Sequence, residues 1–161
     1  MNAQPQYAGF WRRVGATLID TVLFLALITP LLYLLYGSRY FTETRPAFSY
    51  VGGGDFLLHQ LLPLLAAVVL WVKYRATPGK RLLDCVVVDA DTLQAIGVKQ
   101  ALIRYFAYLA SILPLGLGFL WILWDRRRQG FHDRIARTVV LYAPEDEAEK
   151  SLRQLMEEGG R

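Results

Sequence analysis

The sequence predicts a mainly α protein, a small multi-pass transmembrane helical bundle with a short cytoplasmic β element. The first observation is composition, because 54% of the 161 residues are hydrophobic and the mean hydropathy is +0.27, which is unlike a soluble domain. The second is a set of three long apolar regions. The third is a pair of short β-branched runs outside those regions, which predicts strands beside the membrane.

The first apolar region covers roughly residues 14–36 and is long enough to cross a bilayer, since a spanning helix needs about 20 such residues. Asp20 lies inside it. An ionisable group at membrane depth is costly unless it faces a partner, a polar cavity or the bundle interior. Arg13 precedes the span, and we expect it to anchor that end at the interface, because an arginine stem lies along lipid while its head reaches water.

The second apolar region covers roughly residues 56–72, at the short end of what can cross, and basic residues follow it. Residues 86–88 and Thr138–Tyr142 are the β-branched runs that predict two strands. An isolated strand is not stable in water, so we expect these two to pair on the cytoplasmic face.

The third apolar region, residues 105–124, is interrupted by Pro114, Gly116 and Gly118. A single straight span would place two strongly basic segments on opposite sides of the membrane, against the positive-inside rule. We therefore predict a broken helical region that returns the chain to the cytoplasmic side, with both termini cytoplasmic. The alternative is one span with a kink at Pro114.

Charge divides the chain into a membrane domain, residues 1–143, and an acidic tail, residues 144–161. The domain carries 15 Lys and Arg against 8 Asp and Glu, and the tail carries 3 against 6. Positive charge beside the spans predicts contact with a lipid bilayer that has anionic headgroups, and no nucleic acid is needed to explain it. A single cysteine, Cys85, excludes an internal disulfide and a multi-thiolate metal site, and we expect neither a metal nor a cofactor.

Four motifs occur in a fixed order along the chain: AGFWRRVGATLID leading into the first span, TPGKRLL after the second, Arg104 at the start of the third apolar region, and RRRQGFHDRIARTVV near the end. In this order they resemble the RDD family of bacterial membrane proteins, which is named after an arginine and two aspartates. By motif position these match Arg13, Asp20 and Asp133. The resemblance implies a multi-pass protein of the bacterial inner (plasma) membrane, for which transport of unidentified ligands is the usual suggestion.

The candidate site residues follow from these motifs. Asp20 and Asp133 are candidates for a ligand or ion pathway, with Arg13 as the motif arginine and interface anchor. Arg104 and Arg134 are candidate charge partners of Asp20, because a buried carboxylate stays ionised only beside a cation. For Asp133 the alternative is a cap or turn role after Gly130.

Two hypotheses of different class result. In the first, the protein transports a small ligand or cation with the help of Asp20, and forms a homo-oligomer because so few helices enclose little space. In the second, it is a non-catalytic membrane scaffold or an accessory subunit of a protein complex, bound to a membrane-protein partner. We do not expect an enzyme, because no nucleophile elbow, zinc helix or dinucleotide glycine fingerprint occurs.

Overall fold

The computed structural model describes residues 5–44 and 50–144, so the acidic tail lies outside the described residues from residue 145 onward. The protein is mainly helical, with two long apolar helices, several shorter helices and a small two-stranded sheet. The helices are α1 (Phe10–Tyr36), α2 (Arg39–Thr42), α3 (Gly53–Phe56), α4 (Leu62–Tyr74), α5 (Pro78–Leu82), α6 (Val98–Ile112), α7 (Leu117–Leu120) and α8 (Phe131–Ile135). The strands are β1 (Cys85–Asp89) and β2 (Thr138–Tyr142).

Helix α1 is continuous over 27 residues and is long and apolar enough to cross a membrane. It begins at Phe10, four residues before the predicted start of the span. The extra turn is polar in sequence but is held by contacts of Arg13 with other elements, described below. Most of the apolar side chains of α1 are exposed, which is the pattern of a helix surrounded by lipid rather than by protein.

The second long helix runs over Gly53–Tyr74, somewhat longer than the predicted residues 56–72. A π turn (Leu57–Leu61) joins α3 to α4. Pro63, the second residue of α4, has no amide proton to donate to the carbonyl one turn earlier, so the regular hydrogen-bond ladder cannot be kept there. Arg75 then takes a left-handed conformation (φ 58°) and ends the helix.

The third apolar region is broken, as predicted. Helix α6 ends at Ile112, and α7 with the 3₁₀ turn (Trp121–Leu123) leaves at 111° to it. Gly116 adopts φ +81° between them, a conformation that favours glycine. Helix α6 begins at Val98, earlier than the predicted residue 105, because its first turns are polar on the side that binds the sheet: Gln100 donates hydrogen bonds to Asp89 and to the Arg137 carbonyl.

The predicted pairing of the two strands is confirmed. β1 and β2 are antiparallel, with Val87 opposite Val140. The residues before α1 join the same ladder, since Tyr7 forms a bridge with Leu141 and the Ala8 amide donates to the Val140 carbonyl at 2.9 Å. The segments that precede α1, follow α4 and follow the 3₁₀ turn therefore meet at one end of the molecule. The core between them contains Trp71 and small or β-branched side chains, namely Ala8, Cys85, Val87, Ile96, Ala101 and Val140.

Candidate functional site

Asp133 is the centre of a buried charge cluster. It is 0% exposed, and it lies in the first turn of α8, where the Gly130 amide donates to Oδ2 at 3.0 Å. Arg13 donates to the same oxygen at 2.5 Å, and the Arg104 guanidinium contacts Oδ1. The capping role and the ionic role of Asp133 are thus combined in one carboxylate.

Arg13 points into the protein rather than toward lipid headgroups. Its side chain is buried, and besides the Asp133 contact its Nε donates to the Ala8 carbonyl at 3.1 Å and its Nη2 to the Arg128 carbonyl at 2.6 Å. We expected an interface anchor from its place before the span. The neighbouring Arg12 is the more exposed of the two, with its guanidinium over the Tyr142 ring at 3.8 Å.

The two arginines expected beside Asp20 have other partners. Arg104 is fully buried and contacts Asp133 and the Thr138 hydroxyl. Arg134 is half exposed and pairs with Asp125. The Arg104 and Arg134 contacts both depend on the position of α8 and of the loop before it. Spacing along the sequence does not predict that position.

Asp20 instead joins α1 to the turn that opens α5. Its Oδ2 accepts the Thr77 hydroxyl at 2.5 Å, and its Oδ1 accepts the Gly79 amide at 2.7 Å. The approach is so close that a Cβ atom on Gly79 would lie 2.2 Å from the Ala16 carbonyl oxygen. Asp20 therefore acts here as an acceptor of hydrogen bonds that holds a loop onto a spanning helix.

The electrostatics of the cluster keep Asp133 ionised and His132 neutral. Burial alone would raise the pKa of Asp133, but the guanidinium groups of Arg104 and Arg13 outweigh it and hold that pKa well below its usual range. Burial lowers the pKa of His132 to about 3, although the Asp133 carboxylate opposes that shift. The neutral imidazole stacks on the Tyr108 ring with the centroids 4.3 Å apart.

Ser111, His132 and Asp133 are neighbours, yet their arrangement is structural. The Ser111 oxygen is 3.0 Å from His132 Nδ1, and it also accepts the backbone amide of His132 at 3.1 Å. Ser111 is 0% exposed, so a substrate could not reach its hydroxyl. A nucleophile needs such access, and these contacts serve instead to fix α8 against α6.

A cavity of about 440 Å³ lies above this cluster, between α1, α5, α6 and the 3₁₀ turn. Four of its lining residues carry charge: Arg13, Asp20, Lys80 and Arg104. Its other lining residues are mostly apolar or aromatic, namely Phe10, Val14, Thr17, Leu18, Tyr108, Phe119, Ile122, His132 and Val140. Such a mixture of apolar walls and a few convergent charges is typical of a ligand site.

Lys80 is the cavity residue that sequence reasoning missed. It is only 7% exposed, and its ammonium group lies 5.6 Å from the centre of the Trp71 ring. Within residues 5–44 and 50–144 that ammonium has neither a hydrogen bond nor an ion pair. The Nε of the buried Arg104 also has no hydrogen-bond acceptor among the described residues. Lys80 lies within the motif TPGKRLL, which we used only for the family resemblance.

A metal is not favoured by the donor set. The described part of the chain has no group of three or more His, Cys, Asp or Glu side chains placed to hold an ion. The two carboxylates at the site already accept hydrogen bonds or ion pairs. Cationic side chains dominate the cavity, so the chemistry that it offers is the binding of an anion.

Comparisons with known proteins agree with the motifs. The chain is 28% identical over 149 residues to the uncharacterized protein YxaI of Bacillus subtilis, a match that covers 84% of this chain and 97% of that protein. It is 38% identical over 74 residues to the uncharacterized protein RP437 of Rickettsia prowazekii, covering 46% of this chain and 40% of that one. A third match, 38% identical over 63 residues, is to the proline-rich antigen homolog of Mycobacterium tuberculosis and covers 39% of this chain and 26% of the relative.

No solved structure matches the chain. The model of the RDD family matches residues 7–137, which include Arg13, Asp20 and Asp133 and all of the elements that build the cavity except β2. The chain belongs to the RDD family.

Proposed function

We propose that this protein binds a small anionic ligand in the cavity above Asp133 and carries it within or across the inner (plasma) membrane. The observation that supports this is the charge of the site. Arg13, Lys80 and Arg104 supply three positive charges, while Asp20 and Asp133 supply two negative ones. One positive charge is left over, and the Lys80 ammonium lies at the wall of the cavity, where an anion can neutralise it.

The excess charge favours an anion over the cation that we first considered for Asp20. Asp133 is neutralised by two guanidinium groups, and both oxygens of Asp20 already accept hydrogen bonds. A cation entering the cavity would meet the Lys80 ammonium and two guanidinium groups at close range. An anion would instead gain a charge-assisted hydrogen bond from the free Lys80 ammonium, and it would also lie near the Arg13 and Arg104 guanidinium groups.

The proposal includes a topology with two crossings and both termini cytoplasmic. Two helices are long and apolar enough to span, and the residues before α1 share a sheet with β1 and β2. A sheet lies on one side of a bilayer. The bent region formed by α6, α7 and the 3₁₀ turn would therefore enter the membrane and leave it on that same side. The basic residues of these segments favour the cytoplasm. A cavity built from so few helices also favours a homo-oligomer as the transporting unit.

The test is anion binding by the full-length protein in detergent, measured by calorimetry with inorganic phosphate and sulfate as probes. The informative variant is Lys80→Met, which keeps the length of the side chain and removes the ammonium. Loss of a charge-assisted contact should weaken binding about tenfold or more. Lys73→Met is the matched control, because Lys73 is exposed at the end of α4. Proteoliposomes loaded with labelled phosphate then separate binding from transport.

Two outcomes would overturn the proposal. One is that neither anion binds to the wild type. The other is that Lys80→Met and Lys73→Met bind equally well. A protein that binds no anion and that co-purifies with a stable membrane partner would support the scaffold hypothesis instead.

A further inference from the structure

The cavity has an apolar rim within the first span. Leu18, which lines the cavity, is 61% exposed although it belongs to a helix long enough to cross the membrane. It lies about 7.5 Å along the helix axis from Arg13, at 1.5 Å per residue. Exposed apolar side chains of a spanning helix face hydrocarbon, so the rim opens beside the acyl chains and the charged floor lies nearer the interface.

The opposite wall is apolar as well. Phe119 and Ile122, from α7 and the 3₁₀ turn, line the same cavity as Val14 and Leu18 of α1. These elements leave a gap rather than a packed interface, whereas α1 packs closely against α5 at Gly79. A hydrated anion that came along these walls would lose its water without gaining polar contacts, which is costly. An anion attached to acyl chains would not meet this obstacle.

We infer that the ligand is a membrane amphiphile with a phosphate headgroup, such as an acidic phospholipid, which enters sideways between α1 and the 3₁₀ turn. The headgroup lies among Lys80, Arg104 and Arg13, and the chains remain beside Leu18. This inference rests on the function proposed above and names its ligand class. A cavity of about 440 Å³ holds a headgroup with the start of its chains rather than a whole two-chain lipid.

The floor of the cavity suits a phosphate group in particular. Arginine presents a rigid planar set of donors, and lysine acts as a compact point charge, and both are common ligands of phosphate in proteins. Lys80 and Arg104 lie near the same indole, with the Lys80 ammonium 5.6 Å and the Arg104 guanidinium 5.3 Å from the centre of the Trp71 ring. The two cations thus share one aromatic neighbour, and both line the cavity in which the headgroup lies.

The experiment measures lipid retention and free phosphate binding separately. Full-length protein is placed in nanodiscs of phosphatidylcholine with or without phosphatidylglycerol. Native mass spectrometry of the released protein measures which lipid it retains. Calorimetry in detergent measures the binding of phosphate. We expect phosphatidylglycerol to be retained over phosphatidylcholine, and Lys80→Met to lose about tenfold or more of that preference. Lys80→Arg keeps the charge and should keep the preference. Thermal unfolding of each variant establishes that it is folded.

The lateral entrance has its own variant and control. Leu18→Trp places a bulky ring at the rim and should reduce retention of phosphatidylglycerol more than it reduces phosphate binding. Leu27→Trp makes the same change at a position of α1 that is equally exposed and lies outside the cavity, so it should alter neither.

The outcomes distinguish the inference from the proposed function. Phosphate binding that depends on Lys80, without any preference for phosphatidylglycerol, would overturn the inference and leave the proposed function standing. Equal retention by Leu18→Trp and Leu27→Trp would overturn the lateral entrance. Failure of both phosphate and phosphatidylglycerol to bind would overturn both proposals.

Discussion

At the scale of single residues, a few buried charged side chains determine the stability of the folded protein. The fully buried Arg104 and the buried Arg13 share one carboxylate, Asp133, while the Lys80 ammonium has neither a hydrogen bond nor an ion pair among the described residues and lies near the Trp71 ring. Each guanidinium has lost most of its hydration. The stability of the folded protein therefore depends on the ion pairs that these groups form with the two Asp133 oxygens. The three family residues differ in what they do, because Arg13 and Asp133 form an ion pair whereas Asp20 binds a loop.

This difference predicts unequal effects of two isosteric substitutions. Asp133→Asn removes the charge opposite two buried arginines and should lower the free energy of unfolding by about 3–5 kcal/mol. Asp20→Asn keeps a carbonyl oxygen for the Gly79 amide and should cost only about 1 kcal/mol. Thermal unfolding in detergent compares them. Adding Arg104→Met should restore part of the loss in Asp133→Asn and nothing in Asp20→Asn, and equal effects of the two single variants would contradict the assignment.

The buried imidazole predicts a loss of stability in mild acid. The pKa of His132 falls from about 6.5 in an unfolded chain to about 3 in the folded protein. Between these two values the unfolded chain binds a proton that the folded protein does not, so stability decreases as the pH falls, by at most about 1.4 kcal/mol per pH unit. Asp133, whose pKa is depressed, begins to lose its contribution as the pH falls through the ordinary aspartate pKa of about 3.9, so its loss adds to that of His132 at the acid end of this window.

Melting temperatures between about pH 6 and pH 4 measure this loss. His132→Phe keeps an aromatic ring against Tyr108 and removes the titrating group, so its melting temperature should fall less over this range. His59→Gln is the matched control, because it changes the other histidine of the chain, which is partly exposed and bound to Asp55. An identical pH profile for His132→Phe and the wild type would show that His132 is not the group responsible.

At the level of elements, α1 and α5 approach so closely that a Cβ atom on Gly79 has no room. A Cβ atom on Gly79 would lie 2.2 Å from the Ala16 carbonyl oxygen and 3.0 Å from the Asp20 carboxyl carbon. Those atoms belong to the backbone of a spanning helix and to a side chain with two hydrogen bonds, so they cannot shift without breaking the contact. The packing of α5, and with it the position of Lys80, depends on this glycine.

Gly79→Ala should therefore separate α5 from α1 and destabilise the protein by about 2–3 kcal/mol, within the range for overpacking of a close contact. Gly97→Ala is the matched control. Gly97 precedes α6 and, like Gly79, does not have a positive φ, but a Cβ atom there would meet nothing within 4 Å. Melting temperatures in detergent compare the two variants. If Gly79→Ala melts like Gly97→Ala, the contact at Ala16 is not tight in solution.

The elements were predictable to the extent that their signals are local. Two strands followed from β-branched runs, and the break in the third apolar region followed from Pro114 with its glycines. The pairing of Asp133 with Arg13 and Arg104 was not predictable, because it joins residues that are distant in sequence and depends on how α8 turns toward α1. Lys80 was missed for the same reason, since its burial results from the packing of α5 rather than from its neighbours in sequence.

For the whole molecule, three chain segments meet at one end. Tyr7 lies before α1, β1 follows α4, and β2 follows the bent region. β2 pairs with β1 and also forms a bridge with Tyr7, so it contacts both of the other segments. Reporters fused before Tyr7 and after residue 161 should therefore both be cytoplasmic, and a reporter inserted after Thr44, between the two long helices, should be periplasmic. Alkaline phosphatase and green fluorescent protein fusions measure this. A periplasmic reporter at the C-terminus would contradict the two-crossing topology.

The contact between Arg13 and Asp133 also sets an order of events during synthesis. The two residues are 120 positions apart, so α1 is made and inserted long before its counter-ion exists. At about 5–20 residues per second this interval lasts several seconds or more, during which the Arg13 side chain can reach headgroups and water as our first interpretation supposed. Only when α8 emerges can the arginine turn inward. A ribosome that stops before residue 133 would thus release a chain with two uncompensated arginines, which membrane proteases and chaperones could distinguish from the finished protein.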